Sequence, residues 1–158
     1  MIDHRLVFLN NAFSKFDLQF ADNFSNAIIC NPNYNENISV YDNEYEFIVC
    51  FSFQHRHFED QEDVVAWIRE ITAGNLFAIE FFNKGQRRFG SEINAKLLQD
   101  LTYEKLEQFA GYYGLTKLSD VADSFKIRGW DRKNNYDFTF AHNTNGFVVI
   151  NKIYVGIL

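Results

Sequence analysis

Two histidines, His55 and His57, stand two positions apart in the segment FSFQHRHF, which covers residues 51–58. Successive side chains of a β-strand point to opposite faces, so residues two apart share one face. Two neutral imidazole rings on the same face could bind a single metal ion if a third ligand completed the site. The pair therefore raises the hypothesis of a metal-dependent enzyme or a small-ligand-binding protein.

A third ligand is the missing part of this hypothesis. Glu62 lies five residues after the second histidine, and the order H-x-H-x4-E resembles the first motif of the cupins. Cupins have glycines where this chain has Val49 and Arg69, so the match fails around the histidines. A three-histidine site would need His4 or His142, which are distant in sequence. We expect the pair to stack and hydrogen bond at the sheet margin, and keep the metal site as the alternative.

Sequence motifs for other kinds of catalysis, and for nucleotide binding, are absent. There is no G-x-S-x-G nucleophile elbow, no P-loop and no G-x-G-x-x-G segment. Cys30 and Cys50 are too far apart for a zinc motif, and we interpret them as reduced, buried, structural residues. These observations favour a chain that is not an enzyme and needs no cofactor.

Two clusters of basic residues suggest a further alternative, a module that contacts nucleic acid. The clusters are Lys84, Arg87, Arg88 and Lys126, Arg128, Arg132, Lys133. An arginine near Trp130 could contact a phosphate or stack on a base. The net charge of −6 opposes such binding, so we favour solvated hairpin charges that protect sheet edges.

Acidic residues dominate the first half of the chain. Residues 1–83 hold 13 acids and 4 bases, a net charge of −9, whereas residues 84–158 hold 8 acids and 11 bases, a net charge of +3. Our candidate partner-binding residues are Asp42, Glu44, Glu59, Asp60, Glu62, Asp63, Tyr41 and Trp130, with Tyr45 as a further aromatic anchor. Such a surface would attract a basic protein partner.

The composition indicates one soluble domain over residues 1–158. Aromatic residues make up 18% of the chain, which favours a β-rich fold because flat rings pack well on a pleated sheet. The first residues do not form a signal peptide, and no run of about 20 apolar residues could cross a membrane. We therefore expect a cytoplasmic protein that does not bind membranes.

The elements that carry these residues follow from hydrophobic spacing. Apolar residues three and four apart predict a helix over residues 5–22, and residues 25–30 form a candidate strand. A hairpin follows, with its turn near Asp42 and Asn43. Its second strand is expected to run without a break to residue 58, which would place both histidines on the same face as Phe47, Val49 and Phe51.

The rest of the chain alternates helices with hairpins. Asp60 is expected to cap a helix that ends at Gly74, and a hairpin then turns at NKG, residues 83–85. Helical turns over residues 94–114, with Thr102 as a cap, precede a meander of strands. The order predicts an α+β fold, with a mainly antiparallel sheet and about three helices packed on one face.

This profile resembles the immunity proteins of bacterial polymorphic toxin systems. The resemblance lies in general character: a small, acidic, aromatic-rich α+β chain without a catalytic frame. It implies an inhibitor that binds a cognate toxin directly and blocks its active site. Acidic side chains would steer the encounter with a basic toxin domain, and aromatic side chains would anchor the complex.

Overall fold

The computed structural model describes residues 4–33, 36–111, 117–142 and 148–155. The chain divides into two compact units, Met1–Ala73 and Gly74–Leu158, and each is described by itself. A single domain over residues 1–158 stays a prediction. Both units combine α-helices with a five-stranded antiparallel sheet, so the predicted α+β class and antiparallel pairing are confirmed. The prediction of one sheet is wrong, because the strands form two.

The first unit is a simple meander in which consecutive strands are neighbours in the sheet. Its elements are α1 (Phe8–Ala12), β1 (Leu18–Phe20), β2 (Asn26–Ile29), β3 (Ile38–Asp42), β4 (Phe47–Phe51), β5 (Gln54–Phe58) and α2 (Gln61–Thr72). The α2 helix begins after Asp60 and buries Val64, Trp67, Ile68 and Ile71, which are spaced as one helical face. Strand residues two apart supply the buried face of the sheet.

The predicted helix over residues 5–22 is wrong in its second half. The α1 helix ends at Ala12, and Leu18–Phe20 forms a strand that pairs with β2. Phe16 and Phe20 fit a helical face, but together with Leu18 they also fit the spacing of two that is typical of a strand. Backbone hydrogen bonds to β2 stabilise the strand conformation of residues 18–20, so the spacing of two prevails over the helical spacing there.

The second unit places a long connection between two of its strands. Its elements are β6 (Leu76–Asn83), β7 (Gln86–Asn94), α3 (Ala95–Gln99), α4 (Tyr103–Gly111), α5 (Leu118–Val121), β8 (Ser124–Arg128), the 3-10 turn η1 (Arg132–Asn134), β9 (Tyr136–His142) and β10 (Val148–Tyr154). The sheet order is β10-β9-β8-β6-β7. Strands β6 and β8 are therefore neighbours in the sheet, although β7 and the helices α3, α4 and α5 lie between them in the sequence. The predicted turn at Lys84 and Gly85 is confirmed, and both residues have positive φ.

One face of this second sheet and the helices share a hydrophobic core. Leu106 of α4 and Leu118 of α5 belong to the same buried cluster as the strand residues Phe81, Phe125 and Ile127. Five α-helices lie in the described residues rather than about three, and a layer of three helices on one face stays a prediction. Over those same residues, no helix combines the length and apolarity needed to cross a membrane.

Candidate functional site

A tight turn moves the histidine pair to the open face of the first sheet. Residues 52–53 reverse the chain, so the predicted long strand is two strands, β4 and β5. Residues directly opposite in an antiparallel pair share a face, and His57 lies opposite Ile48 while His55 lies opposite Cys50. Phe47, Val49 and Phe51 alternate with those two β4 residues and are buried on the other face. The predicted common face for the histidines and these core residues is therefore wrong.

The two imidazole rings contact each other edge to face, with ring centres 5.4 Å apart. His57 Nδ1 lies 2.8 Å from Glu46 Oε1, and this hydrogen bond lowers the pKa of Glu46. In residues 4–33, 36–111, 117–142 and 148–155, no group of three His, Cys, Asp or Glu residues could hold a metal ion. The two histidines thus contact each other at the sheet margin, and one of them, His57, hydrogen bonds to Glu46.

The other suggested metal ligands lie elsewhere. His4 stacks on the ring of Phe24, with ring centres 4.2 Å apart, and contacts Phe20 edge to face. Glu62 lines a groove between α1 and α2 that does not include the histidines. The side chain of His142 lies outside the described part of the structure. Cys30 and Cys50 are free and half-buried, and burial raises the pKa of both thiols.

The structure brings the predicted acidic residues to one end of the first sheet. Asp42 at the end of β3 lies beside Phe47 of β4, and Phe47 lies beside Phe58 of β5. Strands are spaced about 4.8 Å apart, so Asp42 on β3 and Phe58 on β5, two strands away, are about 10 Å apart. We call the six predicted partner-binding acids at this end, Asp42, Glu44, Glu59, Asp60, Glu62 and Asp63, the acidic end.

Most carboxylates of the acidic end have no basic partner. Arg5 forms an ion pair with Asp42 at 3.0 Å and also lies over the ring of Phe47. The other five form no ion pair with any described residue of the chain. Asp60 is the residue before α2, as predicted, yet its side chain makes no capping hydrogen bond. These five charges are therefore available to an outside partner.

A surface groove between β5 and α2 collects part of this charge. It has a volume of about 550 Å³ and is lined by Arg56, His57, Phe58, Glu59, Asp60, Asp63, Ala66, Trp67 and Glu70. Four of these nine residues are acidic, and the aromatic residues Phe58 and Trp67 are mostly buried. Such a groove matches the chemistry of a lysine or arginine side chain, which has an apolar stem and a cationic head.

Glu70 is a groove residue that the sequence interpretation missed. It lies seven residues after Asp63, with Ala66 and Trp67 between them, and these four positions form one face of α2. The signal was present in the helical spacing, because residues separated by two turns of a helix line up along its length. The acids of the first turn fit a helix start, whereas Glu70 lies in the last turn, beyond that pattern.

The predicted aromatic anchors differ in their exposure. Tyr41 is 43% exposed and lies in the same row of the open face as Ile48 and His57, next to the acidic end. Tyr45, in the turn between β3 and β4, is 86% exposed. Trp130 is 7% exposed, and this burial removes its ring from contact with a partner. We therefore keep the two tyrosines in the candidate surface and leave Trp130 out.

Many charges in the predicted basic clusters are bound within the second unit. Arg87 forms an ion pair with Glu80, a buried carboxylate. Arg128 donates hydrogen bonds to Asp137 at 2.7 Å and to two main-chain carbonyls. The Lys126 ammonium lies 4.9 Å from the centre of a phenylalanine ring. These contacts favour the interpretation of the basic clusters as structural hairpin charges rather than as a surface that binds nucleic acid.

Comparison of the chain with protein-family models, with curated proteins and with solved structures gave no match.

Proposed function

We propose that this chain is a non-catalytic binding module that takes a basic protein partner at the acidic end of its first sheet. The observation that carries the proposal is the group of five carboxylates without ion pairs, beside two exposed tyrosines. Residues Met1–Ala73 hold 12 acids and 4 bases, a net charge of −8. A surface of one sign accelerates the encounter with a partner of the opposite sign.

The geometry suggests how the partner is held. A basic side chain enters the groove between β5 and α2, where Glu59, Asp63 and Glu70 accept its hydrogen bonds. Tyr41 and Tyr45 pack on the partner surface beside the groove, since tyrosine gives a large contact area with little loss of side-chain freedom. The acidic residues raise the association rate and orient the partner, and the contacts of the tyrosines provide much of the affinity.

The class of partner follows from the resemblance to immunity proteins. A basic toxin domain would present lysine and arginine side chains around its active site, and a stoichiometric acidic protein would cover them. The chain would then act by blocking access to the toxin, and would carry out no reaction itself. This extends the proposal from a binding surface to an inhibitor.

Paired charge variants test the proposal. The tagged chain is used to purify its partner from the native host, and binding of the purified partner is then measured. Glu59→Gln with Asp63→Asn should weaken binding about ten- to a hundredfold, because two groove carboxylates are lost. The matched control, Glu104→Gln with Asp120→Asn, removes the same charge from exposed positions of the second unit.

Co-expression tests the inhibitor. The partner gene alone should arrest growth, and the wild-type chain should restore it, whereas the groove variant should restore it less. Equal weakening by the control variant would show that only net charge matters. A partner that is harmless when expressed alone would reject the toxin inhibitor and leave a binding module of another kind.

A further inference from the structure

Sheet edges need protection because their unpaired main-chain groups attract other strands. Three of the four edges in the two sheets carry a recognised protection. The β1 edge is three residues long, and β5 has an exposed Arg56 at its centre. The β7 edge has a bulge opposite Phe81 and Phe82, with Arg87 and Arg88 beside it. Each of these features discourages pairing with an additional strand.

The fourth edge, β10, has less protection than these three. Its sequence VVINKIY has seven residues rich in β-branched side chains, with a single charge at Lys152. The Lys152 ammonium lies 3.8 Å from the ring centre of Tyr136 on β9, so the charge is directed back over its own sheet. Ile153 and Tyr154 are 57% and 39% exposed. Of the strands in the described ranges, β9 alone pairs with β10.

We propose that β10 is an interaction edge whose partner is β10 of a second copy of this chain, paired antiparallel about Asn151. A two-fold axis at Asn151 uses the full strand, and each of its seven residues then has an opposite residue. Lys152 lies opposite Ile150 of the copy, and Ile153 lies opposite position 149. The pairing joins two five-stranded sheets into one continuous sheet.

Charge at this edge is compatible with a second copy as the occupant. In this register no like charges stand directly opposite each other, and such opposed charges destabilise a strand pair. The two Lys152 residues are diagonal neighbours, and each ammonium lies over Tyr136 of its own sheet. The β5 edge gives the contrast, because pairing with itself about its centre would place two Arg56 residues opposite each other. Pairing of β10 with itself about its central residue therefore opposes no like charges directly, whereas the same pairing of β5 does.

A charge exchange at the two-fold axis tests both the partner and the register. Asn151 is exposed, so Asn151→Asp and Asn151→Lys should fold normally, which circular dichroism checks. Sedimentation velocity over a concentration series should show a wild-type dimer. Each variant alone should dimerise about tenfold more weakly because like charges are opposed. An equal mixture of the two variants should recover the wild-type association.

The matched control places the same charges at Asn10, an exposed residue of α1, and should dimerise as the wild type does. A wild type that is monomeric at every concentration overturns the proposal and leaves the edge to an extended segment of another protein. Dimers that are unaffected by the Asn151 variants also overturn it. Weakened variants whose mixture does not recover overturn the register about Asn151.

Discussion

The two units use charge in opposite ways. In the second unit, basic and acidic residues of neighbouring strands neutralise each other, as in the contacts of Arg87 with Glu80 and Arg128 with Asp137. In the first unit, the acids gather at one end of the sheet, and five carboxylates find no basic residue among the described ones. A charged cluster in a sequence thus indicates a surface for partners only when the fold leaves its charges unpaired.

The cores of the two units also differ. The second contains stacked aromatic rings: Phe125 stacks on Phe138 with ring centres 4.4 Å apart, and Phe81 stacks on Phe89 at 4.5 Å. In the first unit, the centre of the sheet is mainly aliphatic, with buried residues such as Ile38. Similar layers can therefore be filled by different side chains.

The largest expected effect is the loss of a stacked ring in the second unit. Phe125→Ala should lower the free energy of unfolding by about 3–5 kcal/mol, since the substitution leaves a cavity among buried rings. Urea denaturation measures the change. Tyr45→Ala, at an exposed ring, is the control and should change it by less than about 0.5 kcal/mol. A small effect of Phe125→Ala would contradict a core built on these rings.

Removing a paired charge should matter more than removing an unpaired one. Arg128→Ala should cost about 1–3 kcal/mol, because Asp137 and two carbonyls lose their donor. In the first unit, Glu44→Gln should change stability by no more than about 0.5 kcal/mol. The same denaturation measurement applies to both. Equal costs would contradict the contrast between the units.

Two helix starts give a matched pair with a smaller difference. Asn94 accepts a hydrogen bond from the Leu97 N–H at the start of α3, so Asn94→Ala should cost about 1 kcal/mol. Asp60 makes no such bond, and Asp60→Ala should cost only the charge–dipole attraction, about 0.3 kcal/mol. Asn94→Ser keeps a capping oxygen and should restore most of the loss. A larger cost at Asp60 would show that it caps α2 in solution.

The smallest expected effect is a change in the pKa of a single carboxylate, that of Glu46. The hydrogen bond from His57 lowers the pKa of Glu46. The contact therefore stabilises the fold at pH values above the ordinary pKa of glutamate. This stabilisation is lost as the pH falls through the lowered pKa. His57→Ala should raise the pKa of Glu46 towards its ordinary value, which an NMR titration of the carboxyl carbon measures. Asp100, whose pKa is lowered by Lys105, is the control and should not change. An unchanged Glu46 titration would mean that the contact is absent in solution.

Long periodic segments were predictable, and turns without marker residues were not. The α2 helix and its four buried residues follow from a single spacing, as does the β6–β7 hairpin with its glycine turn. The turn at Ser52 and Phe53 has neither Gly nor Asn, although Ser52 adopts a positive φ of 53°. Without that marker, the alternation of β4 continued into β5, and the histidines were placed on the wrong face.

The amino-acid sequence by itself determined the helix and strand periods of most elements, the α+β class and the acidic excess of the first half, because these depend on composition and local spacing. Only the tertiary structure decided that residues 42–44 and 59–63 meet at one sheet end, and that most of their carboxylates lack ion pairs. Strand register and ion pairing join residues that are distant in sequence, and no local pattern specifies them.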